Sequence, residues 1–198
     1  MDKGHQRRAF LAAALVFALL TFAAFGLTRH AVSYSTDSSQ GTASAQRPKA
    51  PNSGLPVRLE VPKIKVDASI EDMGLTSAGN MDVPASILDA GWYKYGPHPG
   101  NTGSAVIAGH LDGAQGEPGV FIELNKLQPG DSLATIDDKG HIIAFVVREI
   151  RTYNQNEHPS EVFNTTGGTH LNLITCTGAW DTAQHRFSQR LVVFADKT

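Results

Sequence analysis

The chain has 198 residues, 41% of them hydrophobic and 18% charged, with 17 Lys and Arg against 19 Asp and Glu for a formal charge of -2. Apart from a small basic cluster at the N-terminus there is no positive stripe of the kind nucleic-acid binders carry, which argues against a nucleic-acid partner. One cysteine excludes an internal disulfide, and there are no paired Cys or His ligands at zinc spacing and no glycine loop of the phosphate-cradling type.

Residues 1–8 carry Lys3, Arg7 and Arg8, and Ala9 to Leu27 follow as an unbroken, chargeless apolar run. That run meets the length of about 18 residues needed to span a bilayer and exceeds the roughly 7 to 15 of a signal-peptide core, so a transmembrane signal anchor is expected over 9–27 rather than a cleaved signal peptide. With only Arg29 on the far side, the positive-inside rule puts residues 1–8 in the cytoplasm and the rest outside. Residues 28–54 are rich in Ser, Thr, Gln and Pro and poor in large apolar side chains, the composition of a flexible tether. Residues 55–198 are the right size for one domain with its own core.

Within that domain Val57–Val61 and Ile64–Ile70 alternate apolar and polar residues around Pro62, which predicts two half-buried strands. Met81–Val83 is a weaker strand candidate. Ala90–Tyr93 leads into the turn-rich stretch Gly96–Gly103, and Ala105–Ala108 reads as a buried strand ending at Gly109-His110. After a glycine-rich loop over 111–119, Val120–Leu127 suggests a short helical turn, and Leu133–Ile136 with His141–Ile150 forms a hairpin around Asp138-Lys139-Gly140. Pro159–Phe163 suggests another short helix, Leu171–Cys176 a strand closing before Thr177-Gly178, and Ser188–Ala195 a last strand. Many short strands with almost no helical periodicity after the anchor predict an all-β barrel or sandwich.

Cys176 is the chemistry-bearing residue of this pattern. A lone cysteine outside the reducing cytoplasm suits an intermolecular bond or a free reactive thiol, although a small buried filler is the common alternative. A nucleophilic thiolate needs an acid or base and a donor for the developing oxyanion. His110 ends one apolar strand and Arg190 opens the last, so the three could meet at one mouth of a barrel. His98, His141, His158, His170 and His185 lack such a setting and read as surface residues.

Ala108-Gly109-His110, Leu173-Ile174-Thr175-Cys176, and Arg190 before Leu191–Ala195, in that order, resemble the sortases. Gly91-Trp92-Tyr93 followed by Pro99–Gly103 is most similar to the class F group. The resemblance covers 55–198 and implies a closed, mostly antiparallel barrel of about eight strands with one or two short helices, carrying its site at one end. It further implies a cysteine transpeptidase with possible peptidase activity. Cys176 would attack the Thr-Gly carbonyl of an LPXTG-like sorting signal, His110 would protonate the leaving amine, and Arg190 would bind the oxyanion or the substrate backbone. The partners implied are proteins with a C-terminal sorting signal and an amine of a peptidoglycan precursor or a pilin-type protein, at the outer face of a bacterial plasma membrane.

Thr175 and Trp92 are the substrate-binding candidates, although an aromatic beside a glycine-rich turn is more often core packing. Arg186 competes with Arg190 but does not directly precede the apolar closing run. No cofactor or metal is expected, since Asp112 and Glu117 are too scattered for a calcium site. A cell-wall L,D-transpeptidase would need its cysteine soon after the histidine, which is not the arrangement here. An anchored β-domain that binds a wall polymer or a protein without catalysis stays open.

Overall fold

A computed structural model of the chain describes residues 53–198. The expected anchor over 9–27 and most of the tether over 28–54 lie outside the described residues, among which no helix is long and apolar enough to cross a membrane.

Eight strands close a barrel in the order β1-β2-β3-β4-β7-β8-β6-β5. They are β1 Pro56–Val61, β2 Val66–Met73, β3 Ala90–Tyr93, β4 Gly103–Gly109, β5 Ser132–Asp137, β6 Ile142–Asn154, β7 Thr169–Asp181 and β8 Arg186–Lys197. All neighbours run antiparallel except β2 with β3 and β4 with β7. The helical content of the described residues is three 3-10 turns, Pro62–Ile64, Leu124–Lys126 and Ser160–Phe163, against the one or two short helices expected.

Several boundaries differ from expectation for identifiable reasons. Pro62 fixes φ for a 3-10 turn that Lys65 closes at φ 55, so β2 starts at Val66 and not at Ile64. Met81–Val83 forms no strand; its single pairing is the bridge of Met81 to Leu75. The largest difference is in β7, which does not stop at Cys176 but runs on to Asp181. Gly178, at φ 85, takes a conformation open to glycine, and the β7-β8 register shifts between Thr177 and Trp180. The glycine marks a β-bulge inside a long strand rather than its end. Correspondingly β8 begins at Arg186, and Arg190 lies inside it instead of opening it.

Side-chain alternation sorts the barrel into an inner core and an outer patch. Leu171 and Leu173 of β7, Leu191, Val193 and Ala195 of β8, and Ala105 and Ile107 of β4 point inward to pack with Trp92, Phe121, Leu133 and Phe145. Val106, Val192 and Phe194 point the other way and are covered by Val162 of the Ser160–Phe163 turn, with Ile174, Tyr153, Tyr93 and Met81 around them. Asn172, fully buried on that outer face, donates from Nδ2 to the Val162 carbonyl at 2.7 Å and so ties the turn to β7. The barrel therefore has a second, smaller apolar surface on the outside of β4, β7 and β8.

Candidate active site

Cys176 shares strand parity with Asn172 and Ile174, so its side chain leaves the outer face of β7. Its direct cross-strand partner on β8 is Arg190. Such partners sit about 5 Å apart and project on the same side, which brings the guanidinium beside the sulfur. Parallel pairing of β4 with β7 runs in step as far as Ala108 opposite Ile174. The hydroxyl of Thr175 extends that register by donating to the Gly109 carbonyl at 2.8 Å. One residue further, His110 falls next to Cys176. All three side chains thus gather on the outer wall, beside the end of β4, rather than at the barrel mouth.

Gly109 is required at that junction. A Cβ there would lie 2.5 Å from the Phe121 ring, so a side chain would push the end of β4, and His110 with it, off the core. His110 Nε2 is 2.9 Å from the Pro84 carbonyl. A carbonyl can only accept, so this nitrogen carries the hydrogen and Nδ1 is left as the ring position open to proton exchange. Arg190 is steadied by donating from its Nη1 to the carbonyls of Gln189 and Phe187 at 2.9 and 3.2 Å.

Two cavities meet at the sulfur. One, of about 340 Å3, is walled by Val83, Val162, Phe163, Ile174, Val192 and Tyr153, and reaches Thr175, Cys176 and Arg190. The other, of about 640 Å3, holds His110, Asp112, Trp180 and Arg186 and shares Val83, Cys176 and Arg190 with the first. Burial pushes the Cys176 thiol above its ordinary pKa; the Arg190 charge opposes that rise and the Asp112 charge adds to it. The site combines a half-buried thiol, an imidazole, a fixed cation and an apolar trough. That set can form and resolve a covalent acyl adduct.

The structure brings Cys176, His110, Arg190 and Thr175 together and leaves Trp92 out. Trp92, expected at the substrate wall, is 1% exposed in the inner core, donates from its indole nitrogen to the Pro97 carbonyl at 3.1 Å, and lines neither of these cavities. Its neighbour Tyr93 has the outward parity and packs edge-on against Phe163. Arg186 faces Asp181 across the β7-β8 turn, well along the strand from Cys176. His158, read as a surface residue, lines the apolar cavity, and His185 lines the other. His98 packs edge-on against Trp92, while His141 and His170 bond to Asp137 and Asp196. Val83, Tyr153 and Val192 were missed as site residues. For Val192 the signal was present, since it stands two positions from Arg190 and so on the same face.

The model of the sortase domain matches residues 59–198. The chain belongs to the sortase family. Membership makes this protein a cysteine transpeptidase, and Cys176 is its only cysteine. Solved structures share the fold. A pilus-related sortase C of Group B Streptococcus is 23% identical, with 73% of this chain and 67% of that one covered and a TM-score of 0.55. Sortase D5, a transpeptidase of Clostridium perfringens, is 23% identical over 73% of this chain and 79% of that one, with a TM-score of 0.55. Sortase A from Corynebacterium diphtheriae is 21% identical over 74% of this chain and 61% of its own, with a TM-score of 0.53. No curated protein matches this sortase.

Proposed function

We propose that this sortase is a membrane-anchored enzyme of class F type, displayed on the outer face of a bacterial plasma membrane. It cleaves an LPXTG-like signal between Thr and Gly and transfers the new carboxyl end to an amine of a peptidoglycan precursor or a pilin-type protein. The observation that carries the reading is the meeting of Cys176, Arg190 and His110 on one outer wall, at the end of an apolar trough. The motifs around Trp92, Pro99 and His110 support the class, and the apolar run Ala9 to Leu27 behind Lys3, Arg7 and Arg8 supports the anchor.

In this mechanism the Leu-Pro end of the signal fills the trough between Val83, Val162, Phe163, Ile174 and Val192. The Cys176 thiolate attacks the threonine carbonyl carbon, and Arg190 donates to the oxygen as it gains charge. On collapse the C–N bond breaks, His110 gives a proton to the departing amine, and a thioester to Cys176 remains. An acceptor amine attacks the thioester and returns the electron pair to sulfur. Water in the amine's place makes the enzyme a peptidase.

The test incubates the chain with quenched LPXTG-type peptides, with and without an amine. Cleavage and an amine-dependent ligation product are expected, both abolished in Cys176→Ala and both reduced about 100-fold or more in His110→Ala and Arg190→Ala. Equal turnover in Cys176→Ala would falsify the reading.

A further inference from the structure

We propose that the outer wall carries a second substrate subsite, an aromatic-lined cavity beyond the far end of the trough, which takes a bulky uncharged side chain two or three residues ahead of the Leu of the signal. The inference rests on the reading of the chain as a sortase that takes an LPXTG-like signal, and it lengthens the stretch of substrate that is read.

Three observations carry it. First, the trough does not end blind. A cavity of about 420 Å3 adjoins it, walled by Leu75, Tyr93, Tyr95 and Pro97, and Met81, His158 and Phe163 line both spaces. A peptide held with its Thr at Cys176 and its Leu-Pro end against Phe163 leaves the trough into this cavity.

Second, the reach is right. Ser104, which lines the cavity, and Ala108, which lines the trough, share the outward parity of β4, and the β4-β7 register carried past Ala108 and Ile174 sets Cys176 level with His110. At about 3.3 Å per residue Ser104 lies about 20 Å below that level, a span an extended peptide covers in about six residues. The first half of those steps reaches the Leu of the signal. The cavity therefore meets a side chain two or three positions ahead of it.

Third, the lining selects a chemistry. Leu75, Tyr95 and Phe163 are 48%, 65% and 45% exposed. Exposed large apolar side chains ordinarily stand singly, so three around one cavity mark a binding surface. Tyr93 braces two of them, with its ring edge-on to Phe163 at 5.6 Å and to Tyr95 at 5.8 Å. Rings held in this way lose little freedom when a ligand arrives. No Asp, Glu, Lys or Arg lines the cavity, and the Lys94 ammonium already sits 5.5 Å from the Tyr95 ring centre, where it repels a second cation. A desolvated charge would find no partner here, whereas an aromatic or large aliphatic side chain buries its surface.

The experiment uses the whole chain and quenched LPXTG-type peptides that carry Phe, Ala or Asp at the second or third place before Leu. In the wild type Phe at one of these places should raise kcat/KM about 10-fold over Ala, the scale of burying part of a ring, through KM rather than kcat, and Asp should fall at or below Ala. The Phe-to-Ala ratio should drop below two-fold in Tyr95→Ala and in Leu75→Ala and be retained in Tyr95→Phe. Each ratio is taken within one variant, so loss of folded enzyme cancels. The same preference should appear without turnover, as tighter binding of the Phe peptide to Cys176→Ala by fluorescence anisotropy. Selective binding with no cleavage of any peptide by the wild type would sink the functional reading and leave the subsite standing. A wild-type ratio within two-fold at both places, a ratio that survives Tyr95→Ala, or Asp accepted as well as Phe would overturn the proposal.

Discussion

At Cys176, burial and the Asp112 charge act against ionisation and the Arg190 charge acts for it, with burial the largest influence. The thiol is the acid form, so a raised pKa leaves less thiolate at neutral pH. The rate of iodoacetamide alkylation should therefore keep climbing beyond about pH 8.5, where an ordinary thiol is half ionised. Arg190→Ala should move the midpoint further up and Asp112→Asn should move it down, and a midpoint below that of a free thiol would contradict both the burial and the signs. A single cysteine makes the labelling unambiguous. Thr175 is 3% exposed, and its side-chain hydrogen bond joins the strand of Cys176 to the residue before His110. Thr175→Val keeps the shape and removes the bond. It should cost about 1 kcal/mol in urea unfolding, with turnover falling more than peptide affinity because the His110 register loosens. That Cys176, His110 and Arg190 lie near one another was legible in the sequence because each adjoins a distinctive apolar run. Trp92 was misplaced because parity, which decides inward from outward, depends on a strand's register and not on its composition.

At the scale of elements, the strands were legible where alternation was clear and their ends were not. Glycine and proline mark departures from regular backbone, yet the same residue types serve a bulge at Gly178 and true turns at Pro62 and Gly140. Gly109 offers a direct check on how β4 delivers His110. Gly109→Ala should destabilise the fold by about 1–3 kcal/mol through the Phe121 clash and lower turnover together with it. A second junction ties the start of β1 to the β5-β6 turn. Burial works against charge on Asp137, but hydrogen bonds from the His141 and Gly54 amides, the His141 ring and the Lys139 amide outweigh it and hold the carboxyl well below the usual carboxylate range. A carboxyl depressed in the fold contributes stability that is complete above its unfolded value of about 3.9 and is lost as pH falls through the folded one. Asp137→Asn should thus lower the melting temperature at pH 7, with the gap to wild type narrowing as the pH drops below about 4. A gap independent of pH would show that the charge plays no part.

For the molecule as a whole, closure of the barrel binds distant segments into one cooperative unit. The β4-β7 pair joins residues more than sixty positions apart and is also the seam on which His110 and Cys176 meet. Site and fold should then be lost together. Phe145, fully buried in the inner core and distant in sequence from Cys176, should on change to Ala cost about 3–5 kcal/mol and shift the loss of turnover and of near-ultraviolet dichroism to the same lower urea concentration. The all-β class could be read from strand spacing alone, whereas the closed order of strands needed the long-range pairings that spacing does not encode.

The most direct test of the central claim is intact-mass spectrometry of the enzyme mixed with an LPXTG-type peptide and quenched in acid. The account predicts an adduct equal to the peptide fragment ending at threonine, mapped to Cys176 and discharged by added amine. Continued peptide cleavage with no such adduct, or the same adduct on the Cys176→Ala chain, would contradict it.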